Sequence, residues 1–241
     1  MKIYQDKNIK IFFGDAQHAI DRRLFEQNKS QTELESIDSL LYIKQKLKLD
    51  SLFFTRQVHG IEGLIVSQEI HGQPEADFLV TNKPQIGLGI YTADCLPIII
   101  YDPDQHVVAL AHAGWMGSVQ EIAVRALQTL EKMYGTKKQN VQVFFGPAAG
   151  VCCYVVQPSF REKLEPFTYA DEVLVVRDRH TYFDIVLFNK LQLCSYGVGH
   201  SAFNYYTDCT IGTASYCSHR RDSKNTARNV TLVALEMPRR D

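Results

Sequence analysis

The sequence has no Cys-x-x-Cys pair, no His-x-His pair, no long block of like charge and no internal repeat or low-complexity stretch. Each absence excludes something. Without Cys-x-x-Cys, a zinc ribbon or a thioredoxin-like dithiol has no support, so a metal site must be assembled from distant segments. The most apolar runs, 96–100 and 107–111, are far short of the roughly 20 residues that a membrane helix needs. With 26 basic against 27 acidic residues and a formal net charge of -1, the basic face typical of nucleic-acid binders is not expected. The start, Met1-Lys2-Ile3-Tyr4-Gln5-Asp6, has no apolar stretch behind a basic opening. The expectation is a protein without a secretory signal that stays in the cytoplasm. Six cysteines at irregular spacing then read as reduced thiols rather than a disulfide framework.

The composition is that of an ordinary globular chain, with 45% hydrophobic and 22% charged residues over 241 positions. No Pro/Gly/Ser-rich linker interrupts it, so one domain over 1–241 is expected. Apolar spacing at Leu34, Ile37, Leu40 and Leu41 predicts a helix from the thirties to the mid-forties. Short β-type runs fall at 9–13, 63–67, 78–81, 86–92, 97–101, 107–112, 141–145 and 230–235. The turn residues Asp102-Pro103-Asp104-Gln105 make 97–101 and 107–112 an antiparallel hairpin. A second helix is expected from a capping box at Ser118 and Glu121, with Val119, Ile122, Ala126, Leu130 and Met133 on one face and Gly135 at its end. Asp184 is placed to cap another, carrying Ile185, Phe188, Leu191 and Cys194. Hairpins mixed with separate helices predict an α+β fold of mixed sheets with flanking helices rather than a βαβ array.

Three segments carry the chemistry: Arg56-Gln57-Val58-His59-Gly60, Thr92-Ala93-Asp94-Cys95-Leu96-Pro97 and Ala111-His112-Ala113-Gly114-Trp115. Each puts an imidazole or a thiol at a strand end or tight turn, and Gly60 and Gly114 leave room for the backbone to bend there. The hairpin can bring Cys95 beside His112. Two imidazoles and one thiolate suit zinc with one position open, the mark of a catalytic rather than structural ion. The same residues permit a different chemistry. Cys95 could be a nucleophile activated by one histidine, as in thiol hydrolases. A buried cysteine and two structural histidines are the plain alternative.

At these segments the sequence resembles the YfiH family, also called the laccase-domain or polyphenol oxidase-like family. The matching stretches are Gln57-Val58-His59-Gly60, Glu75-Ala76-Asp77-Phe78-Leu79-Val80-Thr81, Thr92 to Pro97, Ala111 to Trp115, Gly146-Pro147-Ala148 with Cys152-Cys153-Tyr154, and His219-Arg220-Arg221-Asp222. They run in family order from about Arg56 to the C-terminus. The resemblance implies one α+β domain with zinc on His59, Cys95 and His112, and copper as the alternative ion. It implies a purine nucleoside phosphorylase acting on adenosine, inosine or methylthioadenosine with phosphate, and adenosine deaminase activity beside it. An older implication is a copper-dependent polyphenol oxidase. The absence of His-x-His among eight histidines speaks against a laccase in the strict sense.

Within that frame, Arg220 and Arg221 are candidates to fork onto phosphate, or one of them simply pairs with Asp222. Asp94 reads either as a general acid or base, or as the holder of a histidine's second nitrogen. Asp77 carries the same two readings, with substrate contact included. Trp115 could stack on a purine or pack in the core. The chain departs from the family pattern at Val151 and Val155, where a proline and a glutamate are usual, and at Tyr216-Cys217 before Ser218. The first implies an altered substrate contact rather than an altered metal centre.

Overall fold

In the computed structural model, which describes residues 1–6, 8–27, 29–67 and 72–237, two large mixed sheets pack face to face. The first runs Lys2–Gln5, Ile9–Phe13, Ala227–Leu235, Ile86–Thr92 and Ser51–Phe54, with Ile20–Asp21 also pairing to Ala227–Leu235. The second runs Phe203–Tyr205, Gln142–Phe145, Leu96–Asp102, Val107–Ala113, Phe78–Thr81 and Gly63–Ile65. Each is mostly antiparallel. Ser51–Phe54 joins Ile86–Thr92 in parallel, and Gly63–Ile65 joins Phe78–Thr81 in parallel. A small third sheet links Val155–Val156, His180–Phe183 and Leu174–Arg177. The fold is α+β with mixed sheets, as the sequence predicts.

Side-chain alternation explains the layering. Ile99 and Tyr101 point between the sheets, with Ile11, Phe13, Leu88, Ile90, Leu110 and Val233. Ile98 and Ile100 point the other way, under helix Ile122–Tyr134 and helix Ile185–Tyr196. On the far side of the first sheet, Phe12, Leu52, Phe54 and Leu232 pack against Leu40, Ile43 and Leu47 of helix Asp38–Leu47. Strands buried on both faces read as continuous apolar runs, which is why 96–102 and 107–113 are buried at every position.

Two helical expectations need correction. The segment from the thirties to the mid-forties is two helices, Gln31–Glu35 and Asp38–Leu47, broken where Ile37 turns extended. The capping box that starts the first is Ser30 with Glu33. Ser118 caps nothing. It lies inside the short helix Trp115–Val119, fully buried, where its hydroxyl accepts from Asn189 Nδ2 and its carbonyl from Gln192 Nε2. The long helix begins at Ile122 after Glu121, which sits at φ 65° and makes no side-chain cap. A tertiary partner on helix Ile185–Tyr196 has taken the serine that a local rule assigned to capping. Gly135 does end that helix in a left-handed turn, and Asp184 does cap Ile185–Tyr196 by accepting from Leu187 N.

Candidate metal centre

The hairpin sets the first two ligands. In its register Leu96 lies opposite Ala113 and Pro97 opposite His112. Cys95 is therefore one residue beyond the last pair, beside Gly114. Asp102 Oδ1 accepts from Asp104 N and Gln105 N, closing the turn that fixes this register.

His59 arrives from the loop between Ser51–Phe54 of one sheet and Gly63–Ile65 of the other. Its backbone stands at φ 59°, a left-handed conformation that costs a non-glycine residue of order 1–3 kcal/mol unless its surroundings hold it. Here they do. The buried Asp77 carboxylate accepts the backbone N–H of Val58, His59 and Gly60 at 3.2, 3.0 and 2.6 Å. The same carboxylate accepts from His112 Nδ1 at 2.9 Å. That bond fixes His112 as the tautomer whose Nε2 lone pair faces away from Asp77. One carboxylate thus orients two of the three ligands.

The side-chain ligand atoms of His59, Cys95 and His112 lie within 4.8 Å of one another. Cys95 Sγ is 3.9 Å from His59 Nε2, and the two imidazole centroids are 4.8 Å apart at 67°. Zinc–sulfur and zinc–nitrogen bonds at a tetrahedral angle would set sulfur and nitrogen about 3.6 Å apart. The donor set therefore fits such an ion with little movement. Gly114 supplies the space. A Cβ there would come to 3.1 Å from both Cys95 Sγ and His59 Cδ2. Burial pushes the Cys95 thiol up, but His112 and His59 more than offset that and bring it down to about 6. Burial pushes His112 down, while the Cys95 charge and Asp77 raise it to about 9.

The remaining expected site residues fall in different places. Asp94, at φ 83°, does not hold a histidine. Its carboxylate accepts from Thr210 Oγ1, Ser218 Oγ and Arg220 N at 2.7, 3.1 and 2.7 Å, and so ties the 208–221 loop beside Cys95. The histidine-holding role belongs to Asp77, which lies behind His112 and not against the cleft as a substrate contact. Arg221 uses its guanidinium on the carbonyls of Thr210, Ile211, Thr213 and Tyr216 and on Asp222. It is a staple of its own loop rather than a free fork. Arg220 is exposed, donates to the Val155 carbonyl at 2.8 Å and lies 5.4 Å from the Tyr154 ring. At position 155 the backbone makes this contact, so the valine there does not remove it.

The ligands sit between two hollows. A cleft of about 330 Å³ is lined by His59, Cys95 and His112 together with Arg22, Tyr91 and Arg228. A smaller one of about 200 Å³ is lined by His59 and Cys95 with Trp115, Tyr154 and Arg220. Exposed His219 borders both. Arg22, Tyr91 and Arg228 carry no local signal for this role, and His219 enters only as part of the stretch His219-Arg220-Arg221-Asp222. Each reaches the cleft only through the packing of the first sheet and the 208–221 loop. Burial, and after it the charge of Arg22, lower Arg228 from the ordinary guanidinium value.

A family model described as multi-copper polyphenol oxidoreductase laccase matches residues 25–236. Purine nucleoside phosphorylase YlmD of Geobacillus stearothermophilus is 32% identical over 164 residues, which cover 66% of this chain and 60% of that relative's length. The crystal structure of YlmD from the same organism superposes with a TM-score of 0.73 at 26% identity, covering 83% of this chain and 81% of that one. The crystal structure of Bacillus licheniformis hypothetical protein YfiH superposes with a TM-score of 0.84 over 95% of this chain and 93% of that one, at 24% identity, a likeness of fold.

Proposed function

The chain belongs to this laccase-domain family, also known by the name YfiH, and from that premise we propose that it is a zinc-dependent purine nucleoside phosphorylase that also deaminates adenosine. One observation carries the reading. His59, Cys95 and His112 converge with one side facing a cleft that Arg22, Arg56 and Arg228 also line. Relatives named purine nucleoside phosphorylase supply the reaction class. Zinc suits a donor set of two imidazoles and a thiolate, and an ion bound there supplies Lewis-acid and water-activating chemistry.

The chain's own residues divide the work of phosphorolysis. Phosphate is a dianion and needs neutralising charge. Arg22 and Arg228, which both line the larger cleft, are assigned to it, in place of Arg221. Arg220 stays a candidate from the smaller hollow. There Trp115 and Tyr154 offer aromatic walls to a purine. His219 borders both hollows and is assigned to pass a proton to the departing base. Asp77 holds Nδ1 of His112, and Asp94 holds the loop that carries His219 and Arg220.

The test is release of adenine or hypoxanthine from adenosine or inosine with and without inorganic phosphate. Release that requires phosphate and yields ribose 1-phosphate is expected, and Cys95→Ala abolishes it. Equal release without phosphate would reject a phosphorylase. The lowered Cys95 thiol beside His112 favours a second reading, a Cys–His hydrolase. Turnover that survives full chelation would favour it. A copper-dependent polyphenol oxidase is the third. It is favoured by the family model's description and tested by oxygen uptake with a phenol at stoichiometric copper.

A further inference from the structure

Three cysteines outside the candidate centre also converge. Cys152 and Cys153 lie in the turn after strand Gln142–Phe145, which is closed by Cys153 N and Tyr154 N donating to the Gly150 carbonyl. Cys209 lies just after strand Phe203–Tyr205, held opposite Ala148 by hydrogen bonds from Ala148 N to the Asp208 carbonyl and from Thr210 N to the Ala148 carbonyl. The three sulfurs lie within 4.8 Å of one another, and none is in a disulfide. From this we propose that Cys152, Cys153 and Cys209 form a second metal site, one that takes a thiophilic d10 ion, monovalent copper or zinc, on three thiolates.

Three observations support the site. Thiolates bound tetrahedrally to zinc are spaced about 3.8 Å apart, so these sulfurs need to close by less than 1 Å or so. Backbone N–H groups of Gly150 and Gly212 point at Cys209 Sγ from 3.4 and 3.3 Å, an arrangement that stabilises a thiolate. Both donors are glycines, and side chains there would crowd the cluster. A Cβ on Gly150 would fall 3.2 Å from both Cys152 Sγ and Cys209 Sγ, and one on Gly212 would fall 3.3 Å from Cys153 Sγ. A set of soft sulfur donors without imidazole or carboxylate selects soft ions over magnesium or calcium.

Such an ion would clamp the 148–154 turn to the 208–212 segment. Both already touch Asp94, through Ala149 N on its carbonyl at 2.8 Å and Thr210 Oγ1 on its carboxylate at 2.7 Å. Asp94 precedes Cys95. The second ion therefore stiffens the loops that frame the candidate centre without touching it.

The test uses full-length Cys95→Ala chain, which lacks the thiolate of the first centre, kept anaerobic and reduced. It is titrated with zinc alone, with monovalent copper alone, and with cobalt(II) as a spectroscopic probe. One ion per chain is expected, with a sulfur-to-cobalt charge-transfer band about three times that of a Cys209→Ser chain, in which only the single thiolate of Cys95 remains to bind at the first centre. Adding Cys209→Ser or Cys153→Ser to the Cys95→Ala chain should remove binding. Competition between equimolar copper and zinc identifies the ion, and retention of either supports the site. No binding by the Cys95→Ala chain, or a one-thiolate band, overturns it. Should the double variants fail to fold, alkylation of the wild-type chain decides. The ion should protect Cys152, Cys153 and Cys209 together. Unchanged labelling, or a disulfide from Cys209 to either neighbour with no ion retained, overturns the proposal.

Discussion

Asp77 is the residue on which the candidate centre turns. Its carboxylate holds the left-handed turn at His59 and the tautomer of His112 together, through bonds of 2.6–3.2 Å. Partners of this kind, behind the ligands of a metal, are worth about 10- to 100-fold in affinity. Asp77→Asn keeps the size of the side chain but loses its charge and half its acceptors. It is expected to lower zinc affinity by about that factor with the secondary structure intact, as read by competition with a chelating dye. Arg22 is a separate case. Its only ion pair among the described residues is Glu26 at 3.7 Å, half-exposed on both sides, so truncation should leave stability within about 0.5 kcal/mol. Arg22→Ala should raise KM for phosphate at least tenfold while leaving KM for the nucleoside and the metal content unchanged. That His59, Cys95 and His112 are candidates for one site was readable in the sequence, because each sits beside a turn or strand end with its own signature. Asp77's true partners, and the arginines of the cleft, were not. Asp77 meets its partners across 17 or more positions of chain, and Arg22 and Arg228 come to one cleft from opposite ends of the sequence, which no local pattern encodes.

At the level of elements, the helix Ile122–Tyr134 shows what local chemistry settles and what it does not. Gly135 ends it at φ 73°, with nothing within 4 Å of where a Cβ would stand. Gly135→Ala should therefore cost about 1 kcal/mol from backbone conformation alone, measured by urea denaturation. That stop was readable because a C-terminal glycine answers to its own backbone. The start was not, because Ser118 answers to Asn189, 71 residues away. The hairpin from Leu96 to Ala113 was readable within one residue at every strand end. Its strands are buried on both faces and its turn carries its own hydrogen bonds. The break between Gln31–Glu35 and Asp38–Leu47 was missed because apolar spacing continues through it while the backbone does not.

For the molecule as a whole, the centre belongs to the docking of two sheets. His59 and Cys95 both lie where the chain crosses from the first sheet to the second, and His112 lies within the second. The three side chains therefore meet only once the sheets have packed, and binding of an ion there would be coupled to folding. An ion at a hundredfold excess over its Kd adds about 2.7 kcal/mol to the folded state. For a chain of this size that is a rise of about 5–11 °C in Tm. In a Cys209→Ser chain, where only the first centre can bind, zinc should raise Tm by this amount and chelation should reverse it. The added Cys95→Ala substitution should flatten the response. No helix among the described residues is long and apolar enough to cross a membrane.

The most direct test is an anomalous difference map, recorded at the zinc absorption edge from crystals of the wild-type chain grown with zinc. A peak within bonding distance of His59 Nε2, Cys95 Sγ and His112 Nε2 is the predicted result. Strong zinc peaks elsewhere with none at that position would contradict the account.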